Sequence, residues 1–258
     1  MKIISSTDNK TVKQIKKLHE KKGRDRENAF IVEGEKLVTE AIENNAEIQI
    51  LIFRTRAIEG YVLPDTSEVI VMTEDVFDGL VDTVTPQPVM AVVKKPEIHK
   101  PQANESNNNG YIVLDNLQDP GNVGTIIRTA EAAGFKGILT VKGTADPFSQ
   151  KVVRAAAGAI FRIPIIALSD EAEALTYLEN RKIRPIVCDA SGENFHTECN
   201  LKGDVAFIMG NEGNGISKYF MDNVKESVAI KMQKSSESLN VAIAAAILMF
   251  EKNRQEEY

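Results

Sequence analysis

Three stretches in the second half of the chain combine residue types that can do chemistry: NVGTIIRTAEAAGF at 122–135, IMGNEGNGIS at 208–217 and SLNVAIAAAILMFE at 238–251. Each sets a polar or glycine-rich turn against the end of an apolar strand or the start of a helix, where α/β folds place their ligands. In the first, Asn122 is placed to cap a helix after the turn Gln118-Asp119-Pro120-Gly121. Val123, Ile126, Ile127 and Ala130 then share one face, and Arg128 lies almost opposite it, free to act. In the second, Gly210, Gly213 and Gly215 allow positive φ and close backbone approach to a ligand, around one displayed acid, Glu212. In the third, Ser238 is placed to cap a helix buried by Leu239, Val241, Ala242, Ile243, Ala246, Ile247, Met249 and Phe250. Asn240, a poor helix former in that first turn, points to a ligand or cross-chain contact.

Taken singly, each motif also has a plain structural account: a solvated arginine beside an N-cap, a strand-to-helix turn, a helix cap. Two nucleotide sites are disfavoured. Gly210 and Gly215 have the spacing of a phosphate-binding loop, but Ile216 stands where that loop needs lysine, and Lys218 comes two positions late. The dinucleotide fingerprint G-x-G-x-x-G is absent from the chain.

The elements that must position these motifs read as α/β throughout. YIVLDNL, GILTV, IPIIAL, PIVCDA, VAFIMG and SVAIK are short apolar runs suited to a largely parallel buried sheet, with helical patterns between most of them. In the first half, TVKQIKKLHEKKGRDREN reads as one basic helix, with Val12, Ile15 and Leu18 as its apolar stripe. Strands at FIVEG, IQILIF, EVIVMT and PVMAVVKKP and helices at EKLVTEAIENN and EDVFDGLVDT complete a compact α/β/α module. The polar segment PQANESNNNG at 101–110 reads as a linker, so two domains are expected, at 1–105 and 106–258.

Composition bounds the function. The 258 residues are 43% hydrophobic, enough to bury a core, and no apolar run reaches bilayer-spanning length. A cytoplasmic protein that makes no membrane contact is expected, because MKIISSTDNK has no signal-peptide core. Cys188 and Cys199 lack Cys-x-x-Cys spacing, and His19, His99 and His196 are scattered, so no metal site is expected. The net charge of −6 hides an asymmetry. Residues 1–26 hold nine Lys/Arg against three acids, a local +6 that leaves −12 on the rest. Such an arm, with Lys13, Lys16, Lys17 and Lys21 at its centre, would hold a polyanion such as RNA; a solvated helix face is the alternative.

The order and spacing of the three motifs resemble those of the SpoU (TrmH) family of RNA ribose 2′-O-methyltransferases, of the SPOUT superfamily. The resemblance implies a catalytic domain with a deep trefoil knot, from about Asp204 to the last helix, although connections in α/β folds are ordinarily unknotted. It implies a homodimer using S-adenosylmethionine, with Asn122, Arg128, Glu212, Ser238 and Asn240 in catalysis and Gly210, Ile230 and Leu239 around the adenosine. Where many relatives read Ile-Pro-Met, this chain has Ile230-Lys231-Met232. The first half is similar to the family's N-terminal substrate-binding domain, which resembles small RNA-binding ribosomal proteins. The implied substrate is ribosomal RNA, of the large subunit. A non-catalytic RNA-binding or ribosome-assembly factor on the same scaffold is the alternative.

Overall fold

The computed structural model describes residues 2–55, 68–81, 85–96, 109–192, 194–233 and 238–257. Contacts divide it into two units, Met1–Glu97 with Asp146–Phe161, and Ile98–Ala145 with Arg162–Tyr258. Most of the expected linker, 101–108, lies outside the described residues.

The first unit contains β1 (Lys2–Ile4), α1 (Lys10–Lys17), α2 (Lys21–Glu27), β2 (Ala29–Glu33), α3 (Glu35–Glu43), β3 (Ile48–Arg54), β4 (Glu68–Met72), α4 (Glu74–Asp78) and β5 (Val89–Lys94). Its strands form one mixed sheet in the order β1-β4-β3-β5-β2. Alternation along the strands fills both faces. Ile31, Ile52, Ile70 and Met90 pack with Val12 and Ile15 of α1 and Phe77 of α4. Phe30, Val32, Leu51 and Phe53 pack with Leu37, Val38 and Ala41 of α3 on the other side. Each fully buried aliphatic or phenyl side chain contributes about 1.5–3 kcal/mol.

The single basic helix expected over 11–28 is two helices. Glu20 is the N-cap of α2, and a Cβ on Gly23 would lie 1.8 Å from the Lys17 carbonyl oxygen, so the helices meet too closely for any other residue. Arg24 locks the break. Its guanidinium donates to the Leu18 and His19 carbonyls at 2.7 and 2.8 Å and to Asp146 at 2.7 Å, leaving Arg24 buried.

The second unit begins with β6 (Gly110–Leu114), α5 (Pro120–Ala132) and β7 (Gly137–Thr140). The chain then gives α6 (Gln150–Ala156) to the first unit, where Val153 joins the α3 face and Phe148 and Phe161 lie 5.1 and 6.3 Å from the Phe30 ring. It continues through β8 (Ile165–Ala167), α7 (Glu171–Glu179), β9 (Arg184–Cys188), β10 (Val205–Met209), α8 (Lys218–Asn223), β11 (Glu226–Val228) and α9 (Val241–Glu257). The six strands stand in the order β11-β9-β10-β6-β7-β8, and every pairing is parallel. Tyr111, Val113, Ala206 and Ile208 bury one face against Leu178 of α7 and Phe220 of α8. On the sheet's other contacts, α5 packs on β6 and β7, and α9 on β10 and α5. Among the described residues, no helix is long and apolar enough to cross a membrane.

Candidate active site

Because β6 and β10 are parallel neighbours, the turns that follow them emerge side by side. Asp119 caps α5, accepting from the Asn122 backbone N–H at 2.7 Å, with Pro120 at the first helical position, where its missing N–H costs nothing. The expected cap, Asn122, therefore sits inside the first turn with its side chain free. Its amide Nδ2 donates to Glu212 Oε1 at 3.0 Å, and its Oδ1 accepts from Asn240 Nδ2 at 2.9 Å. Asn240, not Ser238, caps α9: its Oδ1 accepts from the Ala242 and Ile243 N–H groups at 2.9 and 3.3 Å. One unbroken chain, Glu212–Asn122–Asn240, thus joins the three motifs across 90 and 118 residues of sequence.

Glu212 also faces the Gln118 and Asp119 backbone N–H groups at 3.4 Å. Partial burial pushes its carboxyl up, but the bonds from Asn122 and from backbone N–H groups outweigh this and hold it below its ordinary value. Glu212 is accordingly ionised at neutral pH.

The loop that carries it is held from below. Asn211 Nδ2 donates to the Asn116 carbonyl at 2.8 Å, while its Oδ1 accepts from Gly213 and Asn214 N–H at 2.9 Å each. Asp115, buried at the end of β6, accepts from Ser217 N–H at 2.6 Å, and burial raises its carboxyl above the usual range. Gly215 has φ +70°, and a Cβ on Gly210 would lie 2.4 Å from the Gly215 carbonyl carbon. The loop's own closure therefore requires glycine at 210.

Beside this chain lies a cavity of about 660 Å³. Gly210, Glu212, Ile230, Ser238, Leu239 and Asn240 all line it, so six of the expected site residues share one wall system. Apolar surface comes from Met209, Met221, Val228 and Leu248, and among the described residues the charged side chains lining it are Asp189 and Glu212. A cavity of this size, lined by apolar side chains and two acids, fits a nucleoside carrying a cationic group. Lys231 is absent from the lining; its ammonium lies 5.5 Å over the Phe195 ring. Arg128 is exposed on the outer face of α5, roughly 9 Å along the helix from Asn122, without a hydrogen-bond or ion-pair partner among the described residues. Lys13, Lys16, Lys17 and Lys21 are exposed in the first unit, Lys13 pairing with Asp8 at 2.8 Å. The α9 residues expected to be buried are divided: Ala242 and Met249 are, whereas Ile243 and Phe250 are 54% and 53% exposed and form a stripe with Leu239.

Sequence reasoning missed Asp119, Asn211, Asp115 and Asp189. An Asp-Pro pair before an apolar period signals an N-cap followed by the first helical residue, so Asp119 was findable. The other three become visible only when the strand ends are side by side.

The SpoU rRNA Methylase family profile matches residues 109–250, and that of an MRM3-like substrate binding domain matches residues 9–91. The chain is 34% identical over 253 residues to the 23S rRNA (guanosine(2553)-2′-O)-methyltransferase RlmP of Bacillus subtilis, covering 97% of this chain and 98% of that one. The AdoMet-bound rRNA methyltransferase from Sinorhizobium meliloti superposes with a TM-score of 0.86 at 30% identity, over 98% of this chain and 97% of that one. The SpoU methyltransferase AviRb from Streptomyces viridochromogenes, in complex with AdoMet, gives 0.89 at 26% identity, over 96% and 98%.

Proposed function

The chain belongs to the SpoU rRNA Methylase family, and we propose that it is an S-adenosylmethionine-dependent methyltransferase acting on the ribose 2′-hydroxyl of large-subunit ribosomal RNA. The observation that carries this reading is the Glu212–Asn122–Asn240 chain on the edge of a cavity of suitable size. Gly210, Ile230 and Leu239 would hold the adenosine, and bound S-adenosylmethionine would supply an electrophilic methyl group.

A ribose hydroxyl is a poor nucleophile, so the protein must align its oxygen and stabilise the charge that develops there. Arg128, exposed on α5 and without a partner among the described residues, is available to a backbone phosphate and to the 2′-oxygen. A guanidinium is not a base under physiological conditions, so the role it suits is electrostatic activation. Glu212 is a weak base at neutral pH, and its hydrogen bonds suit it to orienting Asn122. Ser238 and Asn240, both exposed at the cavity wall, are available to position the substrate sugar.

The same reading takes residues 1–105 as the RNA-binding part, with Lys13, Lys16, Lys17 and Lys21 on phosphates, and 106–258 as the knotted methyltransferase part. It has the protein act in the cytoplasm as a homodimer, for which the exposed Leu239, Ile243 and Phe250 stripe offers an apolar surface. The test is to map 2′-O-methyl positions in ribosomal and transfer RNA with and without the protein, alongside calorimetry with S-adenosylmethionine. A position in large-subunit RNA that depends on the protein supports the reading; absence of cofactor binding or of any such position overturns it.

A further inference from the structure

The turns that leave the carboxyl ends of the second unit's strands differ in charge. Leu114 at the end of β6 pairs with Met209 of β10 on one side and with Thr140 of β7 on the other, and Thr140 pairs with Ala167 of β8. These turns therefore start level with one another. Within three residues of the ends of β8, β6, β10 and β9 stand Asp170, Asp115, Glu212 and Asp189, with no cation. The corresponding stretch after β7 presents Lys142, exposed and without a hydrogen-bond or ion-pair partner among the described residues. Lys231, after β11, is held over the Phe195 ring. An RNA strand whose ribose reaches Asn122 brings its phosphates to this acidic edge, so the edge needs a cation, and Lys142 is the one it offers.

Lys142 also stands on the open side of the site. The described residues that line the cavity come from β9, β10, β11 and the segments that follow them, including α8 and α9. A ligand filling the cavity lies on the β10 side of the Glu212–Asn122–Asn240 chain, which leaves the β7 side to the RNA. Lys142 is two residues past Thr140 as Asn116 is two residues past Leu114, about 5 Å apart at the spacing of neighbouring strands. The two turns are tied together. Thr144 Oγ1 donates to the Leu114 carbonyl at 2.9 Å, and the Ala145 N–H donates to the Leu117 carbonyl at 2.7 Å. Gly143, at φ +98°, lies so close that a Cβ there would be 2.2 Å from Asn116 Oδ1. The lysine's backbone is thus anchored to the turn that leads into Asn122, while its side chain is left to reach a phosphate.

We propose that Lys142 is a substrate-positioning residue that takes a backbone phosphate of the RNA beside the target nucleotide and so holds the target ribose against Asn122. The proposal rests on the reading of the chain as an RNA ribose methyltransferase. Methyl transfer to large-subunit RNA prepared from cells that lack the protein tests it, measured at several salt concentrations for the wild type, Lys142→Gln, Lys142→Arg and Lys136→Gln. Calorimetry with S-adenosylhomocysteine runs beside it. Lys136, exposed just before the opposite end of β7 and about 20 Å away, makes the same charge change off the site. Lys142→Gln should lower kcat/KM for the RNA about 5-fold, the upper end for an exposed ion pair. It should also reduce the slope of log kcat/KM against log salt by about 0.7–0.9, the share of one phosphate contact. Lys142→Arg should restore both, Lys136→Gln should change neither, and affinity for S-adenosylhomocysteine should be equal in all four proteins. A wild-type salt slope in Lys142→Gln overturns the proposal. Equal losses in Lys142→Gln and Lys136→Gln also overturn it, leaving only net charge, and so does weakened S-adenosylhomocysteine binding in a folded Lys142→Gln. Wild-type protein that transfers no methyl group to this RNA removes the underlying reading instead.

Discussion

Asn122→Asp is the most discriminating single change at the site, because it keeps the acceptor that Asn240 uses while turning the donor that Glu212 uses into a second carboxylate. The lost bond is exposed and contributes about 0.5–1.5 kcal/mol. Two carboxylates about 3 Å apart repel by about 1.4 kcal/mol at the dielectric of water and about 5.5 kcal/mol at an effective value of 20. Glu212 is solvent-facing and can turn away, which keeps the repulsion near its lower limit, for a total of about 2–3 kcal/mol. In a unit of this size that lowers the melting temperature by about 4–12 °C at pH 7.5. Asn122→Ala loses both side-chain hydrogen bonds, about 1–3 kcal/mol, but adds no charge. The pH dependence has a definite sign. Wild-type Glu212 has a lowered folded-state value, so its contribution is present above the ordinary carboxyl range and fades as pH falls through its folded value. The paired carboxylates of Asn122→Asp have a raised value, so their penalty is full at neutral pH and disappears below about pH 4. Melting curves from pH 4 to 8 should therefore show Asn122→Asp gaining stability relative to Asn122→Ala as pH falls, and methyl incorporation into RNA should drop about 100-fold in both. If the two variants melt together at every pH, or if Asn122→Asp keeps wild-type turnover, the hydrogen-bonded chain is not what assembles this site.

Three further outcomes follow from the same coordinates. Arg128→Ala should leave cofactor affinity unchanged and lower turnover at least about 100-fold, read by calorimetry beside methyl-transfer kinetics; unchanged turnover would remove Arg128 from the reaction. Replacing Lys13, Lys16, Lys17 and Lys21 with Gln should weaken RNA binding across sequences and flatten its salt dependence, whereas identical salt slopes would make the arm a solvated helix face. Arg24→Ala leaves the nearly buried Asp146 carboxylate without its partner and should cost about 3–5 kcal/mol in a denaturant titration; a loss under about 1 kcal/mol would show that the α1–α2 break holds without it.

The sequence was most legible where one physical term dominates. Continuous apolar runs exposed all six strands of the parallel sheet, since a sheet buried on both faces needs them, and the helical period of 123–130 placed Arg128 on the outside. It was least legible where a distant residue decides a local choice. Asn122 and Asn240 are ordinary caps by propensity, and only the meeting of α5 with α9 turns both side chains toward one another. The break before α2 depends on Gly23 against Lys17 and on an Asp146 that is 122 residues away from Arg24. The segment Asp146–Phe161 falls within the methylase profile by sequence yet fills the first unit's core, because Val153 and Phe148 complete a face that α3 alone leaves open.

The position of α9 carries one more consequence. Asn240 closes the hydrogen-bonded chain, Leu239 and Leu248 close the cavity, and all three are translated after every strand of the sheet they complete. A polypeptide halted or clipped before residue 238 would still own its strands, its glycine loop and its basic arm, but it would have neither a closed cavity nor an oriented Asn122. The final helix is therefore the piece that completes the site, and the site's geometry is assembled in a single step as that helix seats.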